Sequence, residues 1–198
     1  MTELPELLLP DAAAWRDWLS QNHQSAPGVW LVLTKKGGTL TTLNYEGAVL
    51  EALCFGWIDG QARSRDEVSS LQRYTPRRAR SQWSAKNVGR VERLEAEGKM
   101  RPAGQAQVAA AKKDGRWERA YAGPATAVVP DDLAAAIAAS PRAQAMFEVL
   151  TSQNRFALLH RLQSVKRAST RASKITTFVD MLAAGETFYP QRRRPSPQ

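Results

Sequence analysis

Residues 45–87 read YEGAVLEALCFGWIDG (45–60), QARSRDEVSSLQ (61–72) and RYTPRRARSQWSAKN (73–87). Asn44 precedes the first segment as an N-cap, and Ala48, Val49, Ala52 and Leu53 then recur on one helical face. Gly56 is placed to end that helix, because glycine accepts the left-handed conformation a helix C-terminus favours. Trp57 to about Arg65 suits a strand, and Val68–Arg77 suits a second, with Asp66-Glu67 at the bend. Pro76 belongs at a strand end, since it cannot donate to a ladder. A helix followed by a hairpin, with a third helical pattern after Ser84, points to an α+β lobe.

Upstream, Asp11 can cap a helix running to about Gln24, with Trp15, Trp18 and Leu19 on its buried side. Pro27-Gly28 breaks it, and Val29–Lys36 reads as an apolar strand that turns at Gly37-Gly38. Downstream, Ser84 caps Ala85–Glu97, whose inward residues are Val88, Val91 and Leu94 and whose stop is Gly98. Pro102 opens a further helix that ends near Asp114-Gly115, with Trp117 and Tyr121 expected to pin it to the core. Ala122–Val129 reads as a linker. Four helices follow: one capped at Asp131 or Asp132, one from Ser140-Pro141, one over about Ser152–Lys166, and one after Thr170. In the last, Ile175, Phe178, Val179 and Leu182 fall at i, i+3, i+4 and i+7, and Gly185 ends it. The expected organisation is a small antiparallel sheet with packed helices over residues 1–125, a helical lobe over 126–189, and a disordered basic tail over 190–198.

The net charge of +9 is unevenly distributed. Residues 1–62 sum to −4, residues 63–119 to +8 and residues 120–198 to +5. A field of this kind attracts anions, so an anionic small molecule or an acidic partner is expected, with nucleic acid as a further candidate. One cysteine, Cys54, excludes an internal disulfide and a cysteine-based zinc site. It sits near a helix C-terminus on an apolar face, which suits a buried small hydrophobe better than a nucleophile. The two histidines, His23 and His160, do not stand at ligand spacing, so no metal and no cofactor is expected. No GxGxxG, P-loop, GxSxG, RNP or zinc-finger pattern is present. The N-terminus has acids where a signal peptide needs bases, and no apolar run approaches a membrane span, so a cytoplasmic location is expected.

Arg73, Arg77, Arg78 and Arg80 lie just before the start of the Ala85 helix. Unpaired amides there and planar guanidinium forks make a credible anion pocket, with Trp83, read as exposed, available to stack or close it. The plain alternative pairs these arginines with Asp59, Asp66, Glu67 and Glu92 on a solvated loop. Asp59 could orient a loop arginine or act as a general base, while Asp-Gly is also a common turn. Arg161, Lys166, Arg167, Arg171 and Lys174 form a second basic cluster, best explained as a solvated helix face. The candidate ligand-binding residues are Trp57, Asp59, Arg73, Tyr74, Arg77, Arg78, Trp83 and Asn87, and the residues favour a binding protein over an enzyme.

ALCFGWIDG, QRYTPRRARSQWSAKNVGRVERLEAEGKM, AKKDGRWERAY and SVKRASTRASKITTFVDMLAAG together resemble the YdeI/OmpD-associated, bacteriocin-protection family, over about Trp15–Gly185. The matching motif positions are Cys54, Trp57, Asp59, Gly60, Arg73, Tyr74, Arg77, Arg78, Trp83 and Asn87; the resemblance gives none of them a catalytic role. It implies an association with protection against bacteriocins or antimicrobial peptides, or with a stress response, and with an outer-membrane porin. A chain of +9 should repel cationic peptides, so protection would be indirect or act through an anionic molecule. An enzyme acting on a phosphorylated or carboxylated small molecule, with Asp59 as base, is the alternative reading, and a nucleic-acid-binding protein the third.

Overall fold

Asp11 accepts a hydrogen bond from Ala14 N at 2.9 Å and so starts helix α1 (Ala12–Asn22), which follows a two-residue strand, β1 (Glu6–Leu7). The computed structural model describes residues 3–123, 128–163, 165 and 167–196. Strand β2 (Val29–Thr34) precedes helix α2 (Tyr45–Cys54), whose Asn44 cap accepts from Gly47 N at 2.9 Å. Strands β3 (Trp57–Ser64) and β4 (Ser69–Pro76) form the expected hairpin. At its bend one Asp66 oxygen accepts from Val68 N and Ser69 N, closing the turn. Helix α3 (Ala85–Ala96) begins at Ser84, whose hydroxyl accepts from Asn87 N, and helix α4 (Pro102–Lys113) carries its proline in the first turn.

The sheet order is β1-β2-β4-β3. β4 pairs antiparallel with both β2 and β3, as the sequence suggests, while β1 adds a parallel edge that makes the sheet mixed. β1 is two residues long, too short for any periodicity to betray it. One sheet face carries Val29, Leu31, Leu33, Trp57 and Tyr74 into a core with Trp15, Leu19, Leu53, Val91 and Leu94. Trp15 is central: its indole donates to Ala48 O at 3.0 Å and its ring packs on Trp18, Trp57 and Tyr74. The fold class is α+β.

The chain divides into two compact units, Met1–Ala120 and Tyr121–Gln198. The second holds α5 (Asp131–Ala138), α6 (Pro141–Glu148), α7 (Ser152–Gln163) and α8 (Ala168–Ala183). Its core is Leu133, Ile137, Met146, Leu158, Leu162, Phe178 and Leu182, among others. α7 ends at Gln163, short of the expected Lys166, which lies outside the described residues, as do residues 124–127 of the expected linker. Tyr121 belongs to this unit and packs on Phe156 and His160. At the start of the expected tail, Gln191 Oε1 accepts from Thr151 N and Asn154 Nδ2. Asn154 is buried and also exchanges hydrogen bonds with Tyr189, so these partners hold the chain in place. Among the described residues no helix is long and apolar enough to cross a membrane.

Two glycines set the geometry around the hairpin. Gly56 has φ 74°, and a side chain there would also meet Ala103 O at 2.9 Å. Gly104 lets α4 lie directly on the end of α2: a Cβ there would come within 2.3 Å of Cys54 O and 2.7 Å of Leu53 O. Backbone carbonyls held by a helix cannot yield cheaply, so Gly104→Ala should lower unfolding free energy by about 1–3 kcal/mol in denaturant titration. Gly89→Ala, inside α3 with nothing within 4 Å, should instead raise it by about 0.5–1 kcal/mol.

Candidate functional site

Asp59 is the third residue of β3, directly opposite Tyr74 of β4 on the core-facing side of the sheet. The ladder register shifts between Asp59 and Ala62, so the strand is irregular just beyond it. Tyr45, the first residue of α2, donates its hydroxyl to Asp59 Oδ2 at 2.8 Å. Its neighbour Glu46 accepts from Arg90 of α3 through both carboxylate oxygens, in the bidentate geometry that suits guanidinium. Arg90 Nη1 also donates to Asn87 Oδ1 at 2.7 Å, one helical turn earlier. Thus the YEG, WIDG, RYT and SAKN motifs, scattered over 46 residues of chain from Tyr45 to Arg90, converge on one polar cluster. The Arg90 guanidinium holds the Glu46 carboxyl below the usual carboxylate range.

The Tyr74 hydroxyl is fully buried and, among the described residues, has no hydrogen-bond partner. Burial, and after it the Asp59 charge, pushes its pKa well above the ordinary tyrosine value. Tyr45, a residue 40% exposed, is pushed up to about 12 by burial and by its bond to Asp59. Cys54 is buried, and burial raises its thiol, in keeping with an inert core residue.

The Arg-rich loop is built differently from the open pocket its composition suggests. Trp83 is not exposed: it is 2% accessible, packed edge-on against Trp117 with ring centroids 4.9 Å apart. Arg77 is 6% accessible and lays its guanidinium 3.6 Å from the Trp83 ring centroid, with Nη1 donating to Gln82 O at 3.2 Å. An indole stacked on an arginine offers more to the core than to solvent, so both side chains join the frame. Arg73 lies along Gly60, on the opposite sheet face from Tyr74, and Trp57 is buried with its indole donating to His23 O at 3.0 Å. Arg78 and Arg80 are exposed.

The eight expected ligand-binding residues therefore split. Asp59, Tyr74 and Asn87 come together; Arg77 and Trp83 form a separate stack; Arg78 faces solvent; Arg73 and Trp57 lie apart. Among the described ion pairs none joins Arg73, Arg78 or Arg80 to Asp59, Asp66, Glu67 or Glu92; Asp66 pairs with Arg65 instead. Sequence reading missed Tyr45, Glu46 and Arg90. The signal available was Asn87 and Arg90 at i and i+3 on the helix face where Val91 and Leu94 are buried, because polar residues on an inward stripe need partners. In the second basic cluster Arg171 pairs with Asp132, and Arg161 donates to Ala157 O and packs on Phe188. Among the described residues no group of three His, Cys, Asp or Glu could hold a metal ion.

The raised tyrosines make stability fall at high pH. Below about pH 10 both states keep the phenol protons; above it the unfolded chain releases them while folded Tyr45 holds its proton to about 12. The stabilisation is therefore complete below pH 10 and lost as pH rises through the folded value. In denaturant titrations at pH 8 and pH 11, Tyr74→Phe should lose less stability between the two than the unsubstituted protein.

Residues 7–107 match the family model described as a domain of unknown function (DUF8412), and residues 126–185 match that described as Bacteriocin-protection, YdeI or OmpD-Associated. No curated protein and no solved structure matches the chain. The central WIDG and Arg-rich motifs fall inside the first match, and the late helical segment inside the second. The first match covers just over half of the sequence, so the protein belongs to the family of the domain of unknown function DUF8412, and its residues 126–185 match the YdeI or OmpD-associated, bacteriocin-protection model.

Proposed function

We propose that the protein is a binding protein for a multiply charged anion, and that its contact surface is the Arg-rich loop together with the C-terminal end of α4. The observation that carries this reading is the bond from Arg116 Nη1 to Ser81 O at 2.8 Å. It fastens the loop to the turn after α4, beside the Trp83–Trp117 contact. Residues 77–84 and 112–119 then present seven basic side chains against two acidic ones. Of these, Arg77 is held in the frame and Arg116 pairs with Asp114. Arg78, Arg80, Lys112, Lys113 and Arg119 are exposed, and among the described residues none makes an ion pair.

Exposed cations outside ion pairs keep much of their long-range field, which a partner with several phosphates or carboxylates meets by releasing counterions. Lys112 lies 5.1 Å from the Trp117 ring, so even the indoles at this surface are faced with positive charge. Protection against bacteriocins, the association in the C-terminal family's description, would run through such an anionic partner, because this surface repels a cationic peptide.

Inorganic tripolyphosphate and a short single-stranded oligonucleotide serve as probes. Affinity should fall about tenfold or more between roughly 50 and 200 mM salt, and Arg78→Ala/Arg80→Ala should weaken it by a further tenfold. Binding that ignores salt, or that survives the double substitution unchanged, refutes the surface. Preference for the oligonucleotide over tripolyphosphate would identify the anion as a strand.

A further inference from the structure

A cavity of about 490 Å³ opens where the end of α1 meets the start of α4, within the roughly 300–1,000 Å³ that ligand pockets occupy. Ser20, His23, Gln24, Phe55, Arg101 and Ala103 are among the residues that line it, and none of them belongs to the basic loop or to the Asp59 cluster. The ALCFGW motif builds the walls. Trp57 Nε1 donates to His23 O at 3.0 Å, and the Phe55 and His23 ring centroids stand 5.3 Å apart. Arg101 N donates to Cys54 O at 3.1 Å, and Gly56 and Gly104 let the start of α4 come this close. His23, Phe55 and the Arg101 backbone are thereby held around the cavity.

The lining groups divide by hydrogen-bonding character. His23 Nδ1 lies 2.8 Å from Leu19 O, and a carbonyl only accepts, so Nδ1 carries the proton and Nε2 of the neutral ring is an acceptor. Ser20 Oγ donates its proton to Asp17 O at 2.7 Å, which leaves the oxygen to accept. Arg101 is of the opposite character, an exposed guanidinium whose planar fork suits a carboxylate. Glu51 pairs with Arg16, and Glu97 with Lys99 and Arg93, so these acids do not neutralise it; among the described residues Arg101 is in no ion pair. Phe55 and Ala103 supply apolar lining.

We propose that this cavity binds a small carboxylic acid that carries a hydroxyl or amino group beside an apolar side chain, the chemistry of 2-hydroxy and 2-amino acids. Arg101 takes the carboxylate, His23 Nε2 and the Ser20 oxygen accept from the hydroxyl or amino group, and the apolar side chain lies against Phe55 and Ala103. The basic loop is fastened at the other end of α4, about 18 Å away along a helix of 12 residues, so the site stands or falls independently of the anion surface.

Calorimetric titration at pH 8 with 3-phenyllactate, phenylalanine and 3-phenylpropionate, the last lacking the donor, tests this. Saturable binding of 3-phenyllactate or phenylalanine is expected, several-fold tighter than that of 3-phenylpropionate. Arg101→Gln should weaken it about tenfold or more. His23→Phe keeps a ring and removes Nε2, so it should erase the preference over 3-phenylpropionate, which a merely structural role would not do. Arg101 is exposed, so its substitution reports on the site even if His23→Phe unfolds the chain. Failure of both donor-bearing acids to bind, equal affinity for 3-phenylpropionate, or unchanged affinity in Arg101→Gln overturns the proposal. Equal weakening by Arg78→Ala/Arg80→Ala would place the carboxylate on the basic loop and overturns it too.

Discussion

The guanidinium of Arg77 resting 3.6 Å from the Trp83 ring is the contact on which the N-terminal unit's surface depends. Arg77 N donates to Gly56 O at 3.0 Å, so the same residue closes the end of the β3–β4 hairpin and begins the loop. Trp83 in turn meets Trp117, and Arg116 reaches back to Ser81. A desolvated arginine on an indole contributes up to about 2 kcal/mol, enough to hold a short polar loop in one conformation. With Arg77 drawn inward, Arg78 and Arg80 are left outside on a fixed base. Charge is thereby displayed on a fixed support instead of a mobile tether, which, under the proposed anion binding, would lower the conformational entropy lost on contact.

The hairpin separates two chemistries. On the core-facing side of β3, Asp59 gathers Tyr45 and Tyr74, with the Glu46–Arg90–Asn87 chain beside them. Beyond the strand ends, cations accumulate with few acids. The division follows the sequence, in which the acids of residues 1–62 precede the bases of residues 63–119. Such segregation raises self-repulsion on the basic side, a cost that the proposed anion-binding surface would offset.

Elements defined by local signals were legible in the sequence. Asp11, Asn44, Ser84 and Ser140 all cap the helices they were read to cap, because capping needs only three or four neighbouring residues. The β3–β4 hairpin was legible for the same reason. β1 was not, since its two residues gain stability from pairing with Trp30 and Leu31 and not from their own pattern. Trp83 was misread as exposed because its arginine-rich neighbours suggest solvent; the partners that bury it, Arg77 and Trp117, stand 6 and 34 residues away. Of the Asp59 cluster the sequence showed the members on motifs but not their convergence, which depends on α2 packing against both β3 and α3.

A double-mutant cycle on Arg77 and Trp83, with Arg77→Ala and Trp83→Leu measured singly and together by denaturant unfolding, tests the central contact most directly. The stack predicts a coupling energy of about 1–2 kcal/mol between the two positions. Free-energy losses that add within about 0.3–0.5 kcal/mol would show that the two side chains do not support each other, and would contradict the account.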